Sequence, residues 1–241
     1  MIEKREPGES DVEDDEEFDE EIMKLYRQPG GLAIPIYYFV RFIAWLVAKV
    51  YFRTSFHGAE NIPSTGPVLL ACNHASNLDP EMVAALCRRR IAFLAKSELF
   101  ENRVFGGFIG LLGAFPIRRG TGGGDRAAIR SSIMLLRTGN ALLMFPEGER
   151  TLTGVPGVAK TGVSMLLARA PDAVIVPIRV DGSYEAFPPG KKFPRPRKIR
   201  VTAGQGFRVA DLKNLPTVKK QLYQRVGEEI MKRIACAGSS A

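Results

Sequence analysis

The chain has 241 residues, 45% of them apolar, and a formal net charge of +8. That is long and apolar enough for one large domain with a real core, or one domain with an appendage. Three cysteines, an odd count without metal-like spacing, exclude a disulfide framework and make a reducing cytosol the default setting.

The charge is unevenly placed. Residues 1–21 hold twelve acids and two bases, a balance of −10, which leaves +18 on the remainder. So basic a domain calls for an anionic partner: a phosphorylated substrate, an anionic membrane surface or nucleic acid. Residues 1–21, acidic and poor in apolar side chains, read as a disordered, solvated tail. They lack the basic start of a cleavable secretory signal.

Residues 22–53 read as a helical membrane-association segment. Within it, 34–52 carry the only Trp and six further aromatic residues. The stretch nearly has the ~20 apolar residues that a spanning helix needs, but Arg41 and Lys49 interrupt it. At 100° per residue Arg41, Lys49 and Arg53 share one wedge, opposite a broad aromatic face. This pattern suits a helix lying in the membrane interface with its charges at the headgroups. A true span and a helix buried against the domain are the alternatives. Residues 54–241 form the main domain, entered through a turn-rich link at 54–66 in which His57 reads as a surface or packing residue.

Next comes an apolar strand, Pro67-Val68-Leu69-Leu70-Ala71, and then Cys72-Asn73-His74-Ala75-Ser76-Asn77-Leu78-Asp79-Pro80. Asp79-Pro80 predicts a helix start, with Asp at the N-cap and Pro at the first helical position. His74 therefore lies on a strand-to-helix loop at the carboxyl end of a strand, where α/β sheets carry their chemistry. A loop of this length lets Asp79 fold back to one ring nitrogen, fixing the tautomer and leaving the other nitrogen as a base. The plainer alternative is a solvated loop His and an Asp that only caps a helix. Cys72 closes an apolar strand and reads as a small core residue rather than a thiol nucleophile.

Beyond this loop strand and helix alternate. The pattern predicts helices over 80–90, 98–110, 125–138, 158–170 and 217–235. It predicts strands over 67–72, 91–95, 113–118, 140–145, 173–180 and 198–203. The fold class is α/β, a mostly parallel central sheet flanked by helices. The last strand alternates in and out and suits an antiparallel edge. Leu222, Val226, Ile230 and Ile234 form one apolar stripe on the final helix.

Three more stretches end strands or open helices with an anion binder. Gly113-Ala114-Phe115-Pro116-Ile117-Arg118-Arg119 ends in paired arginines, whose planar forks suit phosphate. The glycines at 120 and 122–124 lack a following Gly-Lys-Ser/Thr, which rejects a nucleotide P-loop. Phe145-Pro146-Glu147-Gly148-Glu149-Arg150 follows the apolar strand Ala141-Leu142-Leu143-Met144. Lys160-Thr161-Gly162 opens a helix, followed by Val176-Pro177-Ile178 in the next strand; Lys160 reads as an anion binder, with a side chain that only faces solvent as the alternative.

Taken in order, Asn73-His74-(four residues)-Asp79, Gly113 to Arg119, Phe145-Pro146-Glu147-Gly148-x-Arg150 and Val176-Pro177-Ile178 resemble the four blocks of the glycerolipid acyltransferases. The likeness covers about residues 55–207 and is nearest to the bacterial 1-acyl-sn-glycerol-3-phosphate acyltransferases. Glu149 departs from the pattern, standing where the family usually has Thr or another small residue. The resemblance implies acyl transfer from acyl-CoA or acyl carrier protein to the free hydroxyl of lysophosphatidic acid, giving phosphatidic acid. His74 would be the base and Asp79 its orienter. Arg119 and Arg150 would clamp the acceptor's phosphate, with Glu147 orienting that cluster and Lys96 a further anion binder. Gly148 would offer backbone N–H groups to the reacting oxygen. No metal, cofactor or protein nucleophile is implied, because the thioester is already activated. The partners implied are the two substrates and a membrane lipid surface, at its cytoplasmic face, with the chain peripheral or monotopic. No nucleic-acid motif is present. An acyltransferase for another lysolipid, a hydrolase and a non-catalytic basic surface module are the rival functions.

Overall fold

A computed structural model describes residues 33–117 and 124–239. The acidic tail expected at 1–21 lies outside the described residues, as do the start of the segment 22–53 and Arg118 and Arg119.

The centre of the molecule is a seven-stranded sheet in the order β1-β7-β6-β2-β5-β3-β4. Its strands are β1 (Ser55–His57), β2 (Val68–Cys72), β3 (Ile91–Lys96), β4 (Ala114–Ile117), β5 (Ala141–Met144), β6 (Val174–Asp181) and β7 (Arg200–Ala203). Every pairing is parallel except that of β6 with β7. β2, flanked by β5 and β6, is buried along its whole length. Its unbroken apolar run follows from that position, since a strand covered on both faces has no side to turn to water.

Alternation along β2 divides the core. Val68, Leu70 and Cys72 face one cluster, with Met82, Val83 and Leu86 of α2 (Asp79–Leu86) and Ala48 of α1 (Ala33–Val50). Leu69 and Ala71 face the other, with Leu135 and Leu136 of α4 (Gly124–Arg137), and Val163, Leu166 and Leu167 of α5 (Thr161–Leu167). Val226, Ile230 and Ile234 of α7 (Lys219–Ser239) bury the expected stripe on this second face, with Leu222 packed at its margin. Full burial of one such Leu or Ile contributes about 1.5–3 kcal/mol relative to leaving it in water.

Three expectations need correction. The strand at 198–203 is antiparallel, but it is not an edge: Ser55, Phe56 and His57 pair with Arg200, Val201 and Thr202. This three-residue β1 sits in the stretch expected to be a turn-rich link, and its exposed His57 is on the outermost strand. The helix expected at 98–110 is two pieces, a 3-10 turn at Ser97–Phe100 and α3 (Arg103–Leu111). Asn102 divides them because its side chain accepts from the amides of Val104 and Phe105 and so starts a new helix.

The third concerns α1. Of its basic wedge only Arg53 is exposed; Arg41 and Lys49 do not sit at the solvent side. Arg41 Nη1 reaches the Arg89 carbonyl at 3.4 Å, and Lys49 Nζ lies 4.9 Å from the Phe56 ring centre. Both therefore lie along the flank that docks, with buried Tyr37 and Ala48. What faces outward is apolar: Tyr38, Phe39, Phe42, Trp45 and Val50 are all exposed. Long stems cover apolar surface while their charges find protein carbonyls and rings. Among the described residues no helix is long and apolar enough to cross a membrane.

Candidate active site

Parallel pairing brings the carboxyl ends of β2, β5 and β6 side by side. The register sets Ala71 against Met144 and Cys72 against Ile178, so the residues that follow each strand emerge together. Asn73 extends the ladder with its side chain. Its Oδ1 accepts from Val180 N–H at 2.8 Å, and its Nδ2 donates to Val180 C=O at 2.9 Å. The next residue, His74, is thus launched from a fixed point.

His74 Nδ1 lies 2.9 Å from Asp79 Oδ2. The Asp79 side chain is fully buried and that of His74 is 17% exposed. The same oxygen accepts from the amides of Ala75 at 2.7 Å and Ser76 at 2.8 Å. This corrects the N-cap expectation. Asp79 is the first residue of α2, and its side chain turns back into the loop rather than onto the helix amides. Ser76 tightens the same loop, since its Oγ accepts from Leu78 N–H at 3.2 Å. With Nδ1–H donated to the carboxylate, the imidazole is oriented and its Nε2 is the acceptor nitrogen. That nitrogen has no hydrogen-bond partner among the described residues.

The loop after β5 locks the histidine from the other side. The His74 ring stacks on Phe145, with centroids 3.8 Å apart and planes 16° from parallel. His74 N–H donates to Glu147 Oε1 at 2.9 Å, and His74 C=O accepts from Thr151 N–H at 2.9 Å. Glu147 Oε2 accepts from Gly157 N–H at 2.7 Å. Buried Glu147 is therefore a clamp between three segments of backbone, not an orienter of arginines. The expectation failed because Arg150 is its neighbour in sequence, whereas the amide it needs is 73 positions away.

Gly148 also takes a different role from the one expected. Its N–H donates to Phe145 C=O at 2.9 Å, closing the turn, so it is not turned toward a reacting oxygen. Its φ of +73° favours glycine, and a Cβ there would sit 2.8 Å from the Lys160 Cδ. Lys160 thus lays its stem over Gly148 and pairs with Glu149 Oε1 at 2.9 Å, both side chains being well exposed.

Arg150 is half-buried in this loop, directly before the residue that bonds His74 C=O, and its guanidinium has no partner among the described residues. Lys96 closes β3 opposite Ile117, at the same end of the sheet but two strands from β2; its side chain, like Arg119, lies outside the described residues. Cys72 is fully buried and its thiol donates toward Asn73 C=O. Burial, followed by the nearby Asp79 and Glu147 carboxylates, pushes the Cys72 thiol well above its ordinary value, so it stays protonated and inert. Among the described residues no group of three or more His, Cys, Asp or Glu side chains is placed to hold a metal ion.

Sequence reasoning missed Phe145 as the ring's stacking partner and Thr151 and Gly157 as clamp points. A signal for Phe145 existed: β2 and β5 end in the same way, and two parallel neighbours ending together place their next residues in contact.

The chain was compared with known proteins. A family model described as "Acyltransferase" matches residues 53–181. The 1-acyl-sn-glycerol-3-phosphate acyltransferase of Bacillus subtilis is 29% identical over 179 residues, covering 74% of this chain and 84% of that protein. The enzyme of the same name from Streptococcus pneumoniae is 27% identical over 198 residues, covering 78% of this chain and 71% of its own length. The crystal structure of the Thermotoga maritima 1-acyl-sn-glycerophosphate acyltransferase is similar in fold, with a TM-score of 0.64 at 21% identity. The match covers 83% of this chain and 80% of that one. With more than half its length inside the family model, and with the fold to match, the chain belongs to the acyltransferase family.

Proposed function

We propose that this chain is a 1-acyl-sn-glycerol-3-phosphate O-acyltransferase that makes phosphatidic acid, with His74 as the general base. The observation that carries the mechanism is the 2.9 Å contact of His74 Nδ1 with buried Asp79 Oδ2, inside a loop locked by Glu147 and Phe145. Homologues named for this activity support the substrate class.

In the reaction, Nε2 takes the proton of the acceptor's free hydroxyl as its oxygen attacks the thioester carbonyl carbon. The tetrahedral intermediate collapses with C–S cleavage, and the imidazolium returns the proton to the departing sulfur. Asp79 holds the ring and stabilises its protonated form, while a base in this position is worth about 10²–10⁴-fold. Arg150, half-buried beside the site and without a protein partner among the described residues, binds the phosphate of lysophosphatidic acid. Arg119 and Lys96 are assigned the same anion from the sequence. The donor is acyl-CoA or acyl carrier protein, and the activated thioester calls for no cofactor.

The exposed aromatic face of α1 seats the enzyme peripherally on the bilayer, at the cytoplasmic leaflet where both substrates meet. So large an exposed apolar face on a docked helix is the mark of such a surface. A panel of lysolipid acceptors, run with both thioester donors and with His74→Ala beside wild type, tests the proposal. Equal transfer by the two proteins defeats the base assignment, and free fatty acid without acceptor points to a hydrolase.

A second reading, transfer to a lysolipid with another headgroup, rests on the exposed Glu149–Lys160 pair next to Arg150. In that case the panel ranks another acceptor above lysophosphatidic acid.

A further inference from the structure

The loop between α6 (Ser183–Ala186) and β7 has no part in the chemistry above, yet it is fastened to the site. Ser76 Oγ, in the His74 loop, donates to Phe187 C=O at 2.8 Å, and Arg195 N–H donates to Ala186 C=O at 2.7 Å. At its far side Tyr51 Oη, just past the end of α1, donates to Pro194 C=O at 3.0 Å. The loop therefore bridges the rim of the site and the helix with the exposed aromatic face.

Its composition is one-sided. Residues 188–198 contain Lys191, Lys192, Arg195, Arg197 and Lys198 and no acid. All five are exposed, and none makes an ion pair among the described residues. Between them Phe193 stands 81% exposed. The prolines at 188, 189, 194 and 196 limit the backbone freedom that docking would otherwise cost.

The neighbouring rim has the same character. Leu152, Val155 and Val158 in the loop after Arg150 are exposed at 78%, 67% and 84%. Tyr184 Oη donates to Leu152 C=O at 2.7 Å and joins the two loops. Exposed apolar side chains flanked by unpaired cations fit a surface that is anionic outside and apolar beneath.

We propose that residues 188–198 are a docking finger for an anionic lipid bilayer, its cations on the headgroups and Phe193 below them, setting the rim of the His74 site onto the lipid surface. This rests on the reading that the chain works at a membrane, but it assigns the charge-dependent part of binding to the loop rather than to α1. An acidic carrier protein would also meet five cations. The bilayer is favoured because Phe193 is exposed beside Pro194, whose carbonyl is tied to Tyr51 at the end of the helix with the exposed aromatic face.

Co-sedimentation of the full chain with vesicles of phosphatidylcholine alone, or mixed with phosphatidylglycerol, tests the proposal at low and high salt. Wild type is expected to bind the anionic vesicles at least tenfold more tightly, with the gain lost at high salt. Each cation near such a surface contributes about fivefold. The variant K191Q/K192Q/R195Q/R197Q/K198Q is expected to lose that gain and to keep its binding to neutral vesicles, and F193S to weaken binding to both. A charge variant that retains the wild-type preference overturns the proposal, as does a wild type with no preference. Unchanged vesicle binding with slower turnover only on carrier-protein thioesters also overturns it, and makes the loop a protein-docking surface. Loss of neutral-vesicle binding in F42S/W45S tests α1 separately, so failure of the membrane reading and failure of the loop are told apart.

Discussion

The loops after β2 and β5 meet at His74 but are held in opposite ways. Between Asn73 and Asp79, the side chains that position the histidine are tied inward: Asn73 to β6, Asp79 Oδ2 to three N–H groups, and Ser76 Oγ to a carbonyl 111 positions away. The loop after β5 touches His74 through Phe145, Glu147 and Thr151, and its other ties, to Gly157, Lys160 and Tyr184, run to neighbouring loops rather than into the sheet. Farther out it is exposed, with Glu149, Leu152, Val155 and Val158 turned to the surface. The proposed base is thus part of the core of the fold, whereas the groups proposed to choose its substrate sit at the margin. On the proposed roles, stability and catalysis are coupled at the first loop, and recognition is free to vary at the second.

Substitutions can break or sharpen that contrast. The largest effect is expected at His74: His74→Ala should lower turnover by about 10²–10⁴-fold, measured as labelled acyl transfer, with circular dichroism unchanged. Asp79→Asn should cost less, toward the lower end of that range, because the amide oxygen can still accept the His74 Nδ1–H while the charge that stabilises the imidazolium is lost. It should also lower the melting temperature, since the amide nitrogen then takes the buried place of Oδ1, which has no hydrogen-bond partner among the described residues.

Glu147→Ala leaves the His74 and Gly157 amides without an acceptor. At about 1–3 kcal/mol per orphaned group, thermal unfolding should shift down by several degrees and turnover should fall with it. Arg150→Ala belongs to the other class. It should raise KM for the phosphate-bearing acceptor about tenfold or more, with little change in kcat or unfolding. A coupled loss of stability there would dissolve the contrast. Glu149→Thr should be the mildest, because the ion pair with Lys160 that it breaks is exposed. Turnover should stay within about threefold, and any change should appear as a reordering of preferred acceptors.

Much of this architecture was legible in the residues. The continuous apolar runs of β2 and β5 announced buried strands, and Asp79, five positions after a histidine that follows an apolar strand, announced the His–Asp pair. What was not legible depends on distance along the chain. β1 is three residues among Gly, Pro and Ser, and its pairing with β7, 145 positions away, leaves no periodic trace. Glu147 looked like a partner for Arg150 because proximity in sequence was the only proximity visible. Gly148 was expected to give its amide to a substrate, but the tight turn that makes glycine necessary consumes that amide. Arg41, Lys49 and Arg53 share one wedge, yet Arg41 and Lys49 turn to the protein, where a carbonyl and a ring receive their charges, and only Arg53 is exposed.

The Asn73–Val180 pair has a consequence for how the site can be watched. A side-chain amide standing in for backbone protects the Val180 N–H from solvent, at the point where β2 stops and the histidine begins. Deuterium uptake at that single amide should therefore follow the opening of the His74 loop without any label, substrate or probe touching the histidine. It would register whether lipid, donor or acceptor tightens the loop before a single acyl group is transferred.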